Sequence, residues 1–542
     1  MLRYLPMICM FFGLSGWVGA IEPPAKPNIL LILADDLGYS DLGCYGGEIR
    51  TPNLDGLAAN GLRFRQFYNC ARCCPSRASL MTGLYPHQAG VGLMNNDAGQ
   101  PGYRGFPQPN TVMIPQLLKA AGYHTSMVGK WHLSAGPKSP GPTERGFDEF
   151  YGMVGGFNSC FQEDPFYTRL PADRRKRGYP KDDFYSTDVF GDYSLDFLAA
   201  AREQKKPFFQ YLAFNAPHFP LHAKPEDIGK YAATYTKGWD KVREDRHTRQ
   251  IGLDLFPQSM PLSPRSPYFT RSDFARTGDN PAWDSLDADR RADLARRMAI
   301  FAAMVECMDR NIGRVIDDLK KNGELDNTLI FFLSDNGACA EWDPFGFNVA
   351  SGPKNILHQG EQIAEMGGPK SYHSYGSGWA NAGNTPFRLY KHECHEGGIR
   401  TPLIVHWPKR LAAKGEFRDQ VGHLIDVMAT CVEIGGAKYP ATMGNNAITP
   451  MEGKSLMSAF VDKPLEREYL AWEHERNRAI RVGDWKLVSH GQRKWELFDM
   501  KSDPVELDDL STANPAKVNE LIAKWDEWAK RCKVLPYPEA KK

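Results

Sequence analysis

The chain has 542 residues, of which 42% are apolar and 24% are charged. This length is enough for two or three domains, and the composition supports ordinary globular cores. It excludes collagen-like, coiled-coil and wholly disordered proteins. The formal net charge is only +1, and no basic stripe is present. Because a nucleic-acid-binding protein concentrates positive charge, we expect no nucleic-acid partner.

The N-terminus has the pattern of a secretory signal peptide. Arg3 provides positive charge, residues 5–18 are mostly apolar, and Val-Gly-Ala at 18–20 offers the small side chains of a cleavage site. The apolar run is shorter than a membrane-spanning helix requires. We therefore predict that residues 1–20 are removed, leaving a secreted or periplasmic protein without a membrane anchor. The alternative is a buried N-terminal strand or helix.

The first half of the chain alternates predicted strands with predicted helices. Residues 28–34 form a continuous apolar run, which is typical of a strand buried on both faces of a parallel sheet. Helical spacing follows at 54–62 and 114–121, and apolar strands are predicted at 125–128 and 208–214. Residues 220–287 are rich in Pro, Arg and Asp and are expected to form an irregular insertion.

The second half continues the alternation. A long amphipathic helix is predicted over 292–319, ahead of the helix-stopping pair Asn-Gly at 322–323. The further predicted elements are strands at 328–333 and 403–406 and a helix at 424–434. This alternation favours an α/β fold in which a large mixed, mostly parallel sheet is sandwiched by helices. Polar residues gather after the strands, where such sheets place their sites.

The character of the sequence changes at about residue 447. Short strands at hairpin spacing and one closing helix are predicted there, at 469–472, 478–482, 486–489, 495–498 and 515–533. We predict a catalytic domain over 21–446 and a smaller C-terminal α+β domain over 447–542, built from a short antiparallel sheet and a helix.

The most specific motif is Cys-Cys-Pro-Ser-Arg-Ala-Ser-Leu-Met-Thr-Gly at residues 73–83. It contains two candidate functional residues, Cys73 and Arg77. Two other interpretations concern the cysteines in this motif and just before it. Cys70 and Cys73 have the spacing of a redox pair, and Cys70 or Cys74 could form a structural disulfide. Neither interpretation accounts for the Pro-Ser-Arg that follows.

Two pairs of polar residues each follow a predicted buried strand. Asp35 and Asp36 end the first strand, and Asp335 and Asn336 follow the strand at 328–333. Three carboxylates and a carbonyl oxygen form an all-oxygen set that suits Ca²⁺ or Mg²⁺ and disfavours zinc. An isolated Asp-Asp pair is more often a turn or a helix cap. Two such pairs in a chain with the 73–83 motif predict a metal site.

Basic residues follow two further strands. Lys130 and His132 lie two apart in Gly-Lys-Trp-His, so on an extended segment both side chains point to one side. Lys130 can bind an anion as a point charge, and His132 can exchange protons near neutral pH. His218 ends an Asn-Ala-Pro-His segment after the strand at 208–214. A lone histidine at either place is more often structural.

Lys391 lies five residues before a Glu-Gly-Gly segment. The intervening His-Glu-Cys-His run at 392–395 invites interpretation as a zinc site. Its histidines are three apart rather than the four of a His-Glu-x-x-His helix, and the following glycines would break a helix there. We expect His395 to line the pocket or to support the loop.

Together, these motifs resemble those of the formylglycine-dependent sulfatases of the alkaline-phosphatase-like superfamily. The similarity runs from Asn28 to about Trp407, and weaker similarity continues through Glu-Leu-Phe-Asp and Asp-Pro-Val-Glu in the C-terminal region. In that family the motif cysteine is oxidised to a formylglycine, whose aldehyde hydrates to a geminal diol. The resemblance therefore implies that a formylglycine-generating maturation enzyme converts Cys73. Cys74 departs from the Ser or Thr often found at its position.

The resemblance also implies a cofactor and roles for the other residues. One calcium ion would be held by formylglycine 73 together with Asp35, Asp36, Asp335 and Asn336. The remaining candidate catalytic residues are Arg77, Lys130, His132, His218 and Lys391.

Each of these catalytic candidates has an implied task. Arg77 would stabilise the deprotonated diol, while Lys130 and Lys391 would hold the sulfate. One diol oxygen would attack sulfur, and His218 would protonate the departing alcohol. His132 would then take the proton of the remaining hydroxyl, so that sulfate is eliminated and the aldehyde returns.

The implied activity is hydrolysis of a sulfate ester, on a sulfated carbohydrate or an aryl sulfate. Two alternatives remain open: a phosphonate or phosphodiester hydrolase of the same superfamily, which would bind two transition metals, and a catalytically silent protein that binds sulfated glycans. Segments that could line an outer pocket contain Trp239, Asp240, Arg243, His474 and Arg476.

Overall fold

The computed structural model describes residues 26–136, 139–180, 182–269, 276–348, 355–412 and 414–538. The predicted signal peptide at 1–20 lies outside these ranges. The strands are β1 (Asn28–Ala34), β2 (Leu62–Tyr68), β3 (His124–Lys130), β4 (Glu149–Met153), β5 (Thr168–Leu170), β6 (Phe208–Ala213), β7 (Pro267–Phe269), β8 (Arg276–Asp279), β9 (Thr328–Ser334), β10 (Arg400–His406), β11 (Glu416–Arg418), β12 (Gly422–His423), β13 (Thr442–Met443), β14 (Asn446–Ala447), β15 (Leu470–His474), β16 (Asn477–Val482), β17 (Trp485–Ser489) and β18 (Glu496–Asp499).

The α-helices of the described ranges are α1 (Pro52–Ala59), α2 (Cys73–Thr82), α3 (Ile114–Ala120), α4 (Ser186–Glu203), α5 (Pro225–Gly229), α6 (Gly238–Gly252), α7 (Ala288–Lys321), α8 (Gln362–Glu365), α9 (Gly376–Gly383), α10 (Glu396–Ile399), α11 (Ile425–Gly435), α12 (Met457–Phe460) and α13 (Pro515–Arg531). Short 3₁₀ turns occur at Gly43–Tyr45, Trp283–Ser285 and Leu325–Asn327.

A ten-stranded sheet organises the larger part of the molecule. Its strand order is β11-β2-β10-β9-β1-β6-β3-β4-β5, with β12 beside β2. Strand β1 pairs in parallel with both β6 and β9, whereas β10 runs antiparallel to β9 and β2. The predicted large mixed, mostly parallel sheet is therefore confirmed.

The continuous apolar sequence of β1 is explained by burial on both faces. Ile29, Leu31 and Leu33 belong to the core that includes α2, α3 and α11. Leu30 and Ile32 belong to the core on the opposite face, formed with α1, α4 and α7. Because successive side chains of a strand point to opposite faces, a strand between two helical layers must be apolar at every position.

The C-terminal region forms a second, smaller sheet. Strands β15, β16, β17 and β18 make a four-stranded antiparallel meander, and α13 packs against β16 and β17. The core beneath this sheet also contains Tyr68 and Ala71 from the first region. The predicted small α+β unit is confirmed as an architecture, while its boundary at 446/447 stays a prediction.

The predicted irregular insertion at 220–287 was wrong over part of its length, because it contains α5 and the fifteen-residue helix α6. The buried face of α6 includes Arg243, Arg246 and Gln250 as well as Trp239 and Val242. A helix that buries arginines lacks the apolar periodicity by which helices are recognised in a sequence.

Strand β2 was not predicted, and the first helix was placed too far along the chain. Helix α1 ends at Ala59, and Leu62 already belongs to β2. The guanidinium groups of Arg63 and Arg65 lie 3.9 and 4.2 Å from the ring centre of Phe417. Arginines that pack on an aromatic ring bury their stems without producing an alternating apolar pattern.

None of the helices in the described ranges combines the length and apolarity of a membrane span. The ten cysteines in these ranges are all free. Cys70 therefore forms no disulfide with Cys73 or Cys74 in this structure. Packing, rather than cross-linking, holds these sheets and helices together.

A buried ion-pair network joins the second sheet to the first region. The Lys486 ammonium on β17 lies 2.8 Å from Glu396 Oε1 and 2.7 Å from Glu506 Oε1. Glu396 also accepts hydrogen bonds from Arg400 and from the Tyr68 hydroxyl. Each charged side chain that is removed from water here depends on its partners, because an unpaired buried charge is strongly unfavourable.

Lys486→Met should lower the free energy of unfolding by about 3–5 kcal/mol, since two buried carboxylates lose their shared cation. Urea unfolding followed by tryptophan fluorescence measures this. The matched control is Lys517→Met, which breaks a pair with Glu520 whose side chains are 33% and 46% exposed. That change should cost less than about 1 kcal/mol. Equal losses in the two variants would contradict a role for the network in joining the two regions.

Candidate active site

The two acidic pairs meet at one edge of the central sheet. Ala34 at the end of β1 is paired with Ser334 at the end of β9, and the Asp335 amide donates to the Ala34 carbonyl. The Asp36 amide donates to Asp335 Oδ1 at 3.2 Å, and the Asn336 side-chain amide donates to Asp36 Oδ1 at 2.6 Å. The predicted convergence of the two pairs on one rim is confirmed.

This acidic rim has the donor chemistry of a calcium or magnesium site. Asp35, Asp36, Asp335 and Asn336 are each at most 1% exposed. Asp35 Oδ1 and Asn336 Oδ1 are buried and accept no hydrogen bond from the described residues. Burial raises the pKa of Asp35 well above its ordinary value and also raises that of Asp335. A hard cation would satisfy these oxygens and favour the ionised carboxylates.

Cys73 is the first residue of α2 and is 1% exposed. Its sulfur, the Cys74 sulfur and a ring nitrogen of His132 all lie within 4.8 Å of one another. A hydrogen bond from Cys74 lowers the pKa of Cys73 well below its usual value, and nearby Lys130 and His132 add to this against the effect of burial. The positive end of the α2 dipole also favours an anion at this position.

Arg77 is fully buried and connects Cys73's helix to the acidic rim. Its Nε and Nη2 atoms donate to Asp335 Oδ2 at 3.0 and 2.8 Å, and Nη1 donates to the Lys130 carbonyl at 2.8 Å. The planar fork of the guanidinium therefore fixes the orientation of one predicted metal ligand.

Two lysines from distant parts of the chain reach the acidic rim. Lys130 Nζ donates to Asp35 Oδ2 at 2.6 Å, and Lys391 Nζ donates to Asp36 Oδ2 at 2.8 Å. Lys391 also lies 3.4 Å from Glu341 Oε1. Glu341 was not predicted, because a single glutamate in the loop after β9 belongs to no recognisable pattern.

Both predicted catalytic histidines lie in this cluster. His218 Nε2 is 3.4 Å from Asp36 Oδ2, and its Nδ1 lies 2.6 Å from the Phe219 carbonyl oxygen. Burial lowers the pKa of His218 to about 3 and that of His132 to about 4, and Lys130 adds to both shifts. In the state described, both rings are therefore neutral at neutral pH and can accept protons.

The loop at 155–157 lies over the two histidines. A Cβ atom added to Gly156 would lie 2.6 Å from His132 Nε2, so only glycine allows the backbone this close. The next residue, Phe157, stacks on the His218 ring at a centroid distance of 6.0 Å and an angle of 12°. The Phe157 side chain nevertheless stays 43% exposed.

The zinc interpretation of the 392–395 run is not supported by its contacts. His395 Nε2 lies 3.1 Å from Glu496, which fits the expected supporting role in the loop. His392 Nδ1 lies 2.6 Å from Glu475 Oε2 and also contacts the Arg72 guanidinium. His392, His474 and Glu475 are close enough to share a metal, but the adjacent guanidinium disfavours a cation there.

The suggested outer-pocket role was wrong for Trp239, which is 1% exposed and belongs to the core. Its ring packs edge-on against Trp283 and Trp379 at centroid distances of 4.9 and 5.8 Å. Arg243 is also buried and donates to the Ser263 carbonyl. Aromatic residues in a polar stretch do not by themselves distinguish a binding surface from a core.

This fold is the one found in enzymes that hydrolyse sulfate esters. The sulfatase family model matches residues 27–437. The chain therefore belongs to the sulfatase family. A second model, described as the C-terminal region of N-sulphoglucosamine sulphohydrolase, matches residues 387–531.

Known sulfatases are similar to this chain over nearly its whole length. A protein of Schizosaccharomyces pombe, named an uncharacterised sulfatase, is 35% identical over 545 residues, covering 95% of this chain and 95% of that protein. The N-acetylglucosamine-6-O-sulfatase of Bacteroides thetaiotaomicron is 27% identical over 556 residues, covering 94% and 88%. The crystal structure of Ps i-CgsB in complex with k-i-k-neocarrahexaose has a TM-score of 0.66 at 27% identity, covering 94% and 98%. The prediction that the protein is a sulfatase is confirmed.

Gly156→Ala should lower kcat for 4-nitrophenyl sulfate by about 100-fold, because the new methyl group displaces His132 by an ångström or more. Steady-state kinetics measure this. Gly155→Ala is the matched control, since a Cβ atom there meets no described atom within 4 Å. Equal activity in the two variants would show that the position of His132 does not limit turnover.

Proposed function

We propose that this sulfatase hydrolyses sulfate esters of carbohydrates, through a formylglycine made from Cys73 and with one bound calcium ion. The observation that carries the proposal is the position of Cys73. It begins a helix beside His132, and a negative charge on its sulfur adds to the effect of burial in raising the pKa of Asp335 in the acidic rim. A nucleophile at this point faces both the predicted metal ligands and the proton-transfer groups.

Two lines of support point to carbohydrate substrates. The similar Bacteroides thetaiotaomicron protein is named for a sulfated amino sugar, and the similar Ps i-CgsB structure holds a hexaose. The predicted signal peptide at 1–20 supports export to the periplasm or the medium, where the protein would encounter polysaccharides. The maturation enzyme that oxidises Cys73 is the one protein partner that this mechanism requires.

The lysines provide the binding site for the sulfate group. Lys130 and Lys391 would bind the equatorial oxygens of the sulfate and offset the charge that develops as the S–O bond breaks. A calcium ion bound to the acidic rim would lower the pKa of the formylglycine diol and so make it a nucleophile near neutral pH. Arg77 contributes by holding Asp335 and the Lys130 backbone in place.

The two histidines would take part in different proton transfers. His218 Nε2 faces the rim beside Lys391, where the departing alcohol oxygen would lie, and would supply a proton once a bound substrate has raised the pKa of the ring enough to protonate it. His132, next to residue 73, would remove the proton of the second hydroxyl so that the sulfate leaves by elimination. Burial is the main reason that both rings have a low pKa, and the positive charge of Lys130 lowers the pKa of each further. A bound sulfate would offset this positive charge. It would thereby bring the pKa values closer to the working range.

The second hydroxyl explains why an oxidised cysteine is needed. A serine that received the sulfate would have no remaining hydroxyl on the same carbon, and the covalent ester would persist. A geminal diol keeps one hydroxyl, whose deprotonation expels the sulfate and regenerates the aldehyde. This step requires a base close to residue 73, and the His132 ring lies within 4.8 Å of the Cys73 sulfur.

Mass spectrometry of the tryptic peptide 73–77 tests the nucleophile. In protein co-expressed with a formylglycine-generating enzyme, this peptide should have the mass of an aldehyde and of its hydrate in place of the thiol. Cys73→Ala should abolish turnover of 4-nitrophenyl sulfate, whereas Cys74→Ser should keep it. Full activity in protein whose Cys73 is unmodified would refute the proposed nucleophile.

Removal of the metal should abolish turnover and also lower the thermal unfolding midpoint. A cation that binds only the folded state stabilises that state by about 3 kcal/mol when its concentration is a hundred times Kd. Dialysis against a chelator, followed by calorimetry and elemental analysis, measures this. Asp36→Asn should make the midpoint insensitive to the chelator. One calcium per chain is expected, and two manganese or zinc ions would instead favour a phosphonate or phosphodiester hydrolase.

A further inference from the structure

Two unlike groups of side chains, here called walls, adjoin Lys391. The first, the aromatic wall, consists of Phe157, Phe219 and Tyr372. The second, the polar wall, consists of Arg72, Glu341, His392 and Glu475. Neither wall is used by the sulfate chemistry described above.

The aromatic wall presents one exposed ring above the catalytic residues. Phe157 lies against Phe219 and Tyr372 at centroid distances of 5.3 and 6.3 Å, in addition to its stacking on His218. Phe219 in turn lies 5.8 Å from Lys391 Nζ. A large apolar side chain that stays 43% exposed beside a reaction centre is a platform on which a flat or apolar surface can pack.

The polar wall is a connected chain of charged groups that begins at the same lysine. Glu341 Oε1 lies 3.4 Å from Lys391 Nζ, 3.2 Å from His392 Nε2 and 3.5 Å from Arg72 Nη2. His392 Nδ1 then contacts Glu475 Oε2 at 2.6 Å, and Glu475 Oε1 lies 3.8 Å from Arg72 Nη1. The Arg72 and Glu475 side chains keep 12% and 23% of their surface exposed.

The polar wall has more carboxylates than guanidinium groups. Two carboxylates, Glu341 and Glu475, flank the single guanidinium of Arg72. The adjacent His474 adds no charge at neutral pH, because burial lowers its pKa to about 4. The wall therefore has no surplus positive charge for a second anionic group. Carboxylate oxygens accept hydrogen bonds from hydroxyls, and the guanidinium donates to them.

A pyranose ring matches this pair of walls, because it has an apolar C–H face and a rim of hydroxyls. We propose that Phe157 packs against the C–H face of the leaving-group sugar while Glu475 and Arg72 bind its hydroxyls, so that the enzyme selects neutral, monosulfated pyranosides. A uronate or a second sulfate next to the scissile ester would meet Glu475 and be repelled. This inference rests on the proposed hydrolysis of carbohydrate sulfates.

Glu475→Gln tests the polar wall. The probes are 4-nitrophenyl sulfate and a panel of monosulfated galactose, glucose, N-acetylglucosamine and N-acetylgalactosamine, with disulfated and uronate-containing counterparts. The variant should lower kcat/KM for the best neutral sugar by about 10–100-fold relative to 4-nitrophenyl sulfate, since hydrogen bonds to a charged acceptor are lost. Glu527→Gln, at an exposed position of α13, is the matched control and should leave the ratio unchanged.

Phe157→Ala tests the aromatic wall. Because Phe157 is partly exposed, this change leaves the buried catalytic residues in place. It should lower kcat/KM about tenfold for both neutral sugars and 4-nitrophenyl sulfate, because each substrate packs a ring or an apolar face on Phe157. Phe157→Tyr should restore most of this loss. The thermal midpoint of Phe157→Tyr should equal that of the unchanged protein, and that of Phe157→Ala should fall by only a few degrees, because Phe157 is 43% exposed.

Each failure has its own signature. Equal losses for sugar and aryl sulfate in Glu475→Gln would show that Glu475 only positions His392, and would overturn the inference. Preference for disulfated or uronate-containing substrates would overturn it as well. In both cases the proposed function would stand. If 4-nitrophenyl sulfate is cleaved but no sulfated sugar is, the proposed carbohydrate function fails together with the inference.

Discussion

The acidic rim at the ends of β1 and β9 is the constraint on which the rest of the structure depends. Asp35, Asp36 and Asp335 are buried. A buried carboxylate is stable in its ionised form only beside a cationic partner. Those partners are Arg77 and two lysines contributed by distant parts of the chain. Helix α2, the end of β3 and the loop before α10 are therefore all tied to one point. The proposed calcium would bind oxygens of the same rim that accept no hydrogen bond from the described residues, Asp35 Oδ1 and Asn336 Oδ1.

The sheet supplies the rigidity that this cluster needs. Parallel pairing of β1 with β9 places two carboxyl ends side by side without any help from the loops that follow. Helix α2 then presents Cys73 at its positive end, and Arg77, one turn further along, reaches back to Asp335. The proposed nucleophile and one proposed metal ligand are thus positioned by the same helix. Oriented charges of this kind require little rearrangement during the reaction.

The C-terminal sheet contributes more than stability. Its buried Lys486 pairs with Glu396 in the segment that follows Lys391, so the lysine loop is anchored from the C-terminal side. The turn after β15 brings Glu475 to the entrance of the site. Under the proposals above, a substrate would therefore meet the two lysines and Arg72 from the first region and Glu475 from the second. Variation in the second region can change the accepted sugar without disturbing the reaction centre.

The sequence by itself determined the family, the nucleophile candidate and the main strands, because these depend on short-range patterns. A strand covered on both faces must be apolar throughout, and the 73–83 motif is contiguous. Glu341 and Glu475 could not be predicted, and neither could α6 with its buried arginines. Glu475 meets His392 across 83 positions of the chain, and no local pattern marks such a contact. Only the tertiary structure decided which isolated charges share a site, because the pairing of buried charges depends on the packing of whole elements.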